Sequence, residues 1–173
     1  SRIYLAEQCQ MDRFRVLKNE KAVKKVLGEF AQMRGDALVK KVVDSIDPTD
    51  LIIATDQFIG PKNEHQFKHT TLIGDIDVLI IDPQMKRIAS LECKAMAPSR
   101  NIREMVEESS KLFGGPEKKG WIDKHMERDS WLKSNLHQLT EKFGIDAGDY
   151  QVLSFFVTEE DMLTPHLREM DLP

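Results

Sequence analysis

The pattern of apolar and polar positions changes period several times along the chain. Over residues 4–46 apolar side chains recur every three or four positions: Met11, Phe14 and Leu17, then Val23, Val26, Leu27 and Phe30, then Leu38, Val39, Val42, Val43 and Ile46. Residues three and four apart share one face of a helix, so this stretch is predicted to be helical. Gly35 either breaks it or indents it, and Pro48 ends it. Residues 50–59 are β-branched and apolar and read as a strand, followed by a polar, turn-rich loop at 60–70. Two further apolar runs, 76–81 and 88–95, flank Asp82-Pro83-Gln84-Met85-Lys86-Arg87. Pro83 sets its own φ and the Asp82 carboxylate can bond the turn backbone, so a β-hairpin is predicted.

The helical period then returns. Ser99 or Asn101 can cap a helix running to about residue 113, with Met105, Leu112 and Phe113 on its apolar face. Gly114-Gly115-Pro116-Glu117-Lys118-Lys119-Gly120 reads as a flexible connector and lacks the spacing of a nucleotide-binding P-loop. Residues 121–143 read as one amphipathic helix. Trp121, Ile122, His125, Trp131, Leu132, Leu136 and Leu139 lie on its apolar side, Lys124, Arg128, Lys133 and Lys142 on the other, and Gly144 follows as a stop. A buried strand over 150–158 and a short helix over 165–170 complete the reading. Helices, strand, hairpin, two helices and strand suit an α/β fold, a mixed sheet flanked by helices in three layers.

Composition narrows the picture. A chain of 173 residues suits a globular domain with a sizeable core, and 40% hydrophobic with 31% charged residues fits a soluble protein. No apolar run approaches membrane-spanning length and no secretory signal pattern opens the chain, so a cytoplasmic location without a membrane partner is expected. Ser1 in place of Met suits a trimmed chain or a domain of something longer. Cys9 and Cys93 make no disulfide framework. A net charge of −4 is not the footprint of a high-affinity DNA binder, so any nucleic-acid contact is expected to be local and salt-sensitive.

Four groups do not belong on apolar strands: Asp75, Asp77, Glu92 and Lys94. Alternation puts Asp75 and Asp77 on one face of their strand, and Glu92 and Lys94 on one face of theirs. If Asp82 pairs with Arg87, antiparallel counting sets Asp77 opposite Glu92 and Asp75 opposite Lys94, with Cβ atoms roughly 5 Å apart. Two opposed carboxylates are destabilising unless a cation lies between them, and a hard divalent ion suits carboxylate oxygens. The plainer reading is an amphipathic hairpin with solvated charges.

An Asp at the opening of one strand and Glu-x-Lys on the next resembles the PD-(D/E)xK nuclease signature. The match is Asp77-Val78-Leu79-Ile80 with Glu92-Cys93-Lys94, and the wider strings GDIDVL and LECK resemble bacterial restriction-endonuclease-like domains. The resemblance covers roughly residues 35–165, which leaves 1–34 as an N-terminal helical segment before a nuclease domain at 35–173. It implies a restriction-endonuclease-like fold and hydrolysis of phosphodiester bonds in nucleic acid, DNA in particular, with Mg²⁺ or Mn²⁺. Asp77, Glu92 and the Cys93 carbonyl would be metal ligands, and Lys94 the catalytic lysine. Ile76 stands where the family has Pro.

Related nucleases often add a carboxylate from the preceding helix, for which Asp36 and then Glu29 are candidates. The resembling group carries Gly-x-x-Phe-Glu there, whereas this chain has Gly35-Asp36-Ala37-Leu38-Val39, with Val39 in place of the acid. Arg100, Arg103, Lys118 and Lys119 are weaker candidates for phosphate contact. Glu64, His65 and His69 fall in the 60–70 loop without the further ligands a zinc site needs. The alternative is a catalytically inactive nucleic-acid-binding or interaction module of the same fold. A homodimer and additional domains both stay open.

Overall fold

A computed structural model describes residues 21–162. Cys9, the apolar series Met11, Phe14 and Leu17, and the helix expected at 165–170 lie outside the described residues. The chain divides into two units, Ser1–Ala37 and Leu38–Pro173. Helix α1 (Lys21–Asp44) runs through Gly28 and Gly35 without a break, and its residues from Leu38 onward belong to the second unit. Lys21, Lys24, Lys25, Lys40 and Lys41 are exposed, a solvated face with pairs such as Lys40–Asp44 at 2.8 Å.

The second unit is mixed α/β. Its strands are β1 (Ile52–Gly60), β2 (Phe67–Lys68), β3 (Gly74–Asp82), β4 (Arg87–Lys94) and β7 (Gln151–Thr158), in sheet order β2-β1-β3-β4-β7. β3 runs antiparallel to β1 and β4, while β2 is parallel to β1 and β7 to β4. The hairpin forms as its turn chemistry dictates. Asp82 Oδ1 accepts the N–H groups of Gln84 at 3.0 Å and Met85 at 2.8 Å, and Lys86 takes φ 53°, closing the turn with Asp82 opposite Arg87.

Between β4 and β7 come α2 (Ile102–Phe113), a ribbon of β5 (Gly114–Gly115) and β6 (Lys118–Lys119), α3 (Trp121–Ser134) and α4 (Leu136–Phe143). Asn101 caps α2, its Oδ1 accepting from the Glu104 N–H at 3.0 Å. The expected flexible connector is a tight ribbon instead. Gly114 sits at φ 73°, and a Cβ there would come within 2.3 Å of the Lys118 carbonyl oxygen. The helix expected over 121–143 is two helices. Asn135 leaves helical geometry at φ −129°, ψ 31°, and its side-chain amide donates to the Trp131 carbonyl at 2.8 Å.

One sheet face packs Ile59, Leu79, Ile81 and Ile88 against Trp131 and Leu132 of α3 and Leu139 of α4. The other packs Val78, Leu91 and Cys93 against Leu38, with Val39, Val42 and Val43 of α1 alongside. Helices therefore cover both faces and the second unit has three layers. Each fully buried Leu or Ile contributes about 1.5–3 kcal/mol relative to exposure, so these two clusters hold the sheet in place. No helix among the described residues is long and apolar enough to cross a membrane.

Candidate active site

The two middle strands part company. The β3–β4 ladder runs from Asp82↔Arg87 only as far as Val78↔Leu91. Beyond it β3 stays paired with β1 as far as Ile59↔Gly74, and β4 stays paired with β7 as far as Lys94↔Thr158. The β1–β3 ladder also omits one pair between Thr55↔Val78 and Gln57↔Ile76, where Asp56 takes φ 52°. Asp77 thus stands at the break in both ladders. Its Oδ2 accepts the Cys93 N–H at 2.7 Å, so a side chain of β3, not its backbone, satisfies that donor. In an extended strand the N–H and C=O of one residue leave by the same edge, so the Cys93 carbonyl also faces this gap.

Lys94 closes the cluster. Its Nζ lies 2.7 Å from Glu92 Oε1 and 3.4 Å from Asp77 Oδ2. The expected pairing of Asp75 with Lys94 does not form, because the ladder ends before reaching them and the parted strands let Lys94 lean to Asp77. The second Glu92 oxygen, Oε2, pairs with Arg128 Nη2 from α3, with side chains only 7% and 5% exposed. The guanidinium reaches the start of β3 as well: a Cβ on Gly74 would sit 3.3 Å from Arg128 Nη1. Trp121, the half-buried first residue of α3, has its ring centre 5.9 Å from Lys94 Nζ.

Burial raises the Asp77 pKa above the ordinary carboxylate value, and the charges of Glu92 and Asp75 add to this against Lys94 and the Cys93 N–H. For Lys94 burial pulls downward, but Glu92 and Asp77 more than offset it and the net shift is upward. It is an ammonium at neutral pH. Burial, with Asp77 and Glu92 beside it, pushes the Cys93 thiol up to about 12, so it is no nucleophile. Burial and then the Arg128 charge bring His125 down to about 4. This imidazole is fully buried, neutral, and without a hydrogen-bond partner on either nitrogen.

The other sequence candidates are engaged locally. Asp36 and Glu29 belong to the first unit and are exposed; Gln32 Nε2 donates to Asp36 at 2.8 Å and Lys25 lies 3.7 Å from Glu29. Val39 packs in the second core cluster. Arg100 pairs with Glu104 at 3.0 Å, Arg103 with Glu107 at 3.5 Å and Lys119 with Glu127, while Lys118 is exposed. The Lys62 N–H donates to His65 Nδ1 at 3.3 Å, and His69 Nδ1 lies 3.1 Å from the Thr71 carbonyl. Arg128 is the correction: read as solvent-facing, it is buried on the carboxylate of the cluster. Its position was legible, since Trp121, His125, Arg128 and Leu132 follow one another at helical spacing along one stripe.

Among the described residues no group of three or more His, Cys, Asp or Glu side chains is placed to hold a metal ion. Two carboxylates and a carbonyl instead suit an ion such as Mg²⁺, which keeps several waters and takes one or two protein carboxylates plus substrate phosphate. They do not suit a zinc cage. The donor set fits such an ion in kind, but one Glu92 oxygen is already held by Arg128. No protein-family model, curated protein or solved structure matches this chain.

Proposed function

We propose that Asp77, Glu92 and Lys94 form the centre of a divalent-metal-dependent nuclease with a restriction-endonuclease-like fold, hydrolysing phosphodiester bonds in nucleic acid. DNA is the substrate class that the sequence resemblance implies. The observation that carries the reading is the Lys94 ammonium held between carboxylates from two strands, where those strands part. A solvated amphipathic hairpin would spread these charges over the surface; here they converge in a half-buried gap.

Asp77 and Glu92, with the Cys93 carbonyl, would hold Mg²⁺ or Mn²⁺. When bound, such an ion lowers the pKa of a coordinated water and offsets charge on the phosphoryl oxygens. Lys94 orients the attacking water and stands beside the negative charge that develops as the phosphorus–oxygen bond breaks. Asp77 anchors β4 through the Cys93 N–H and so keeps Glu92 and Lys94 in register with its own carboxylate. The released 3′ oxygen takes its proton from solvent.

One observation favours a second reading, a non-catalytic module of the same fold. Arg128 already neutralises Glu92, so the cluster is charge-balanced without a metal. Cleavage of plasmid and linear DNA with Mg²⁺, Mn²⁺ or a chelator separates the two. Metal-dependent cleavage that disappears in Asp77→Asn supports the nuclease. DNA binding without cleavage under any metal establishes the second reading, and the absence of both metal binding and cleavage removes the first.

A further inference from the structure

The two carboxylates of the cluster face two protein cations. Lys94 meets Glu92 Oε1 and Asp77 Oδ2 from the half-exposed side, and Arg128 meets Glu92 Oε2 from inside the fold. The guanidinium is enclosed between Glu92, the start of β3 at Gly74 and its own helix, with Nε buried and unpartnered. Its neighbour on α3, Asp129, is taken by the Ser154 hydroxyl and by Lys133 at 2.6 Å, and His125 carries no charge to offer it. Glu92 is therefore the carboxylate on which this buried cation depends.

We propose that Arg128 is a built-in counter-cation that competes with divalent metal for Glu92 and thereby keeps the metal affinity of the centre low. The inference rests on reading the cluster as a metal centre. A divalent ion entering the centre adds two positive charges where the four side chains already sum to zero. It must either share Glu92 with the guanidinium at close range or drive the guanidinium off. Removing one of the protein cations reverses that balance in favour of the metal, and Arg128 is the one that touches Glu92 alone.

The test is calorimetric titration of Mg²⁺ and Mn²⁺ into the wild-type chain, Arg128→Gln, Arg128→Lys and Asp77→Asn, with thermal unfolding in metal and in chelator. Glutamine keeps a hydrogen-bond donor for Glu92 without the charge; lysine keeps the charge. Arg128→Gln should bind metal at least about tenfold tighter than wild type and gain more thermal stability from it, while Arg128→Lys stays near wild type. A merely structural role would weaken binding in both variants, and equal or weaker binding by Arg128→Gln overturns the proposal. Should Arg128→Gln fail to fold, the wild-type Arg128 Nε–H resonance, assigned by its loss in Arg128→Lys, replaces it. That resonance should move with the metal titration, and a stationary resonance during metal binding also overturns the proposal. The two layers fail differently. If wild type binds metal and Asp77→Asn does not, yet Arg128→Gln binds no tighter, only the role of Arg128 falls; if no variant binds metal, both fall.

Discussion

Glu92→Gln should be among the costliest single-charge changes in this fold, for reasons the burial makes explicit. The side chains of Glu92 and Arg128 are 7% and 5% exposed, so neither charge is solvated by bulk water. Replacing the carboxylate by an amide leaves the guanidinium enclosed beside a neutral His125 and an Asp129 already bonded to Ser154 and Lys133. Losing one partner of a buried ion pair costs about 3–5 kcal/mol. The exposed Lys40–Asp44 pair is the contrast: 2.8 Å long but with side chains 75% and 61% exposed, it is screened by solvent and contributes little. Against a total stability of about 5–15 kcal/mol, the Glu92 loss is a large share. Glu92→Gln combined with Arg128→Met should recover most of it, because replacing both partners of a buried pair is often neutral or better. The measurement is urea unfolding in chelator at neutral pH, arranged as a double-mutant cycle. A single-variant cost below about 1 kcal/mol, or a double variant whose cost is the sum of the singles, would refute a buried, mutually dependent pair.

Three further outcomes are expected. Lys94→Ala should lower the rate of DNA cleavage by about 10²-fold or more, the scale of a lost transition-state donor, while calorimetry shows metal binding unchanged or tighter; wild-type cleavage would contradict its role. Asp77→Asn should weaken metal binding and cleavage together, yet in chelator it should unfold at a urea concentration no lower than wild type at neutral pH, because it removes a carboxylate that burial and Glu92 disfavour. His125 should impose an acid limb: its unfolded form takes a proton near 6.5 and its folded form only near 4, so between these values the unfolded state binds more protons and stability falls as pH drops. That window is worth about 3 kcal/mol, and urea unfolding of His125→Phe at pH 7 and pH 5 should show a smaller loss than wild type; equal losses would assign the limb elsewhere.

What could be read from the residues and what could not divides along physical lines. The hairpin register was legible because Asp82 and Pro83 make a turn with little freedom, and a side-chain period of two carries that register as far as Val78↔Leu91. The two-layer cover of helices followed from helical spacing at Leu38, Val39, Val42 and Val43 and at Trp131, Leu132 and Leu139. The break at Asn135 was hidden, since Leu132, Leu136 and Leu139 keep their helical spacing across it while the local hydrogen bonds change. β2 and the β5–β6 ribbon are two-residue strands, too short to carry any periodic signal.

The parting of β3 from β4 was out of reach for a different reason: it depends on which strands lie outside the hairpin. β1 holds the start of β3 and β7 holds the end of β4, so the hairpin is pulled open at the end away from its turn, and no residue within it announces this. Simple counting across an unbroken ladder therefore set Asp75 against Lys94, whereas the opened end brings Lys94 to Asp77 and admits Arg128 from α3. The charges that looked misplaced on an apolar hairpin are accommodated because they lie where the ladder has stopped. Asp77 satisfies the Cys93 N–H, Arg128 and Lys94 divide the two oxygens of Glu92, and Gly74 leaves room for the guanidinium. The same opening that creates the need for these groups is where the carboxylates of the proposed centre come together. Structural compensation and the proposed chemistry thus draw on the same side chains, which is why metal affinity and metal-free stability should shift in opposite directions in the Arg128→Gln and Asp77→Asn variants.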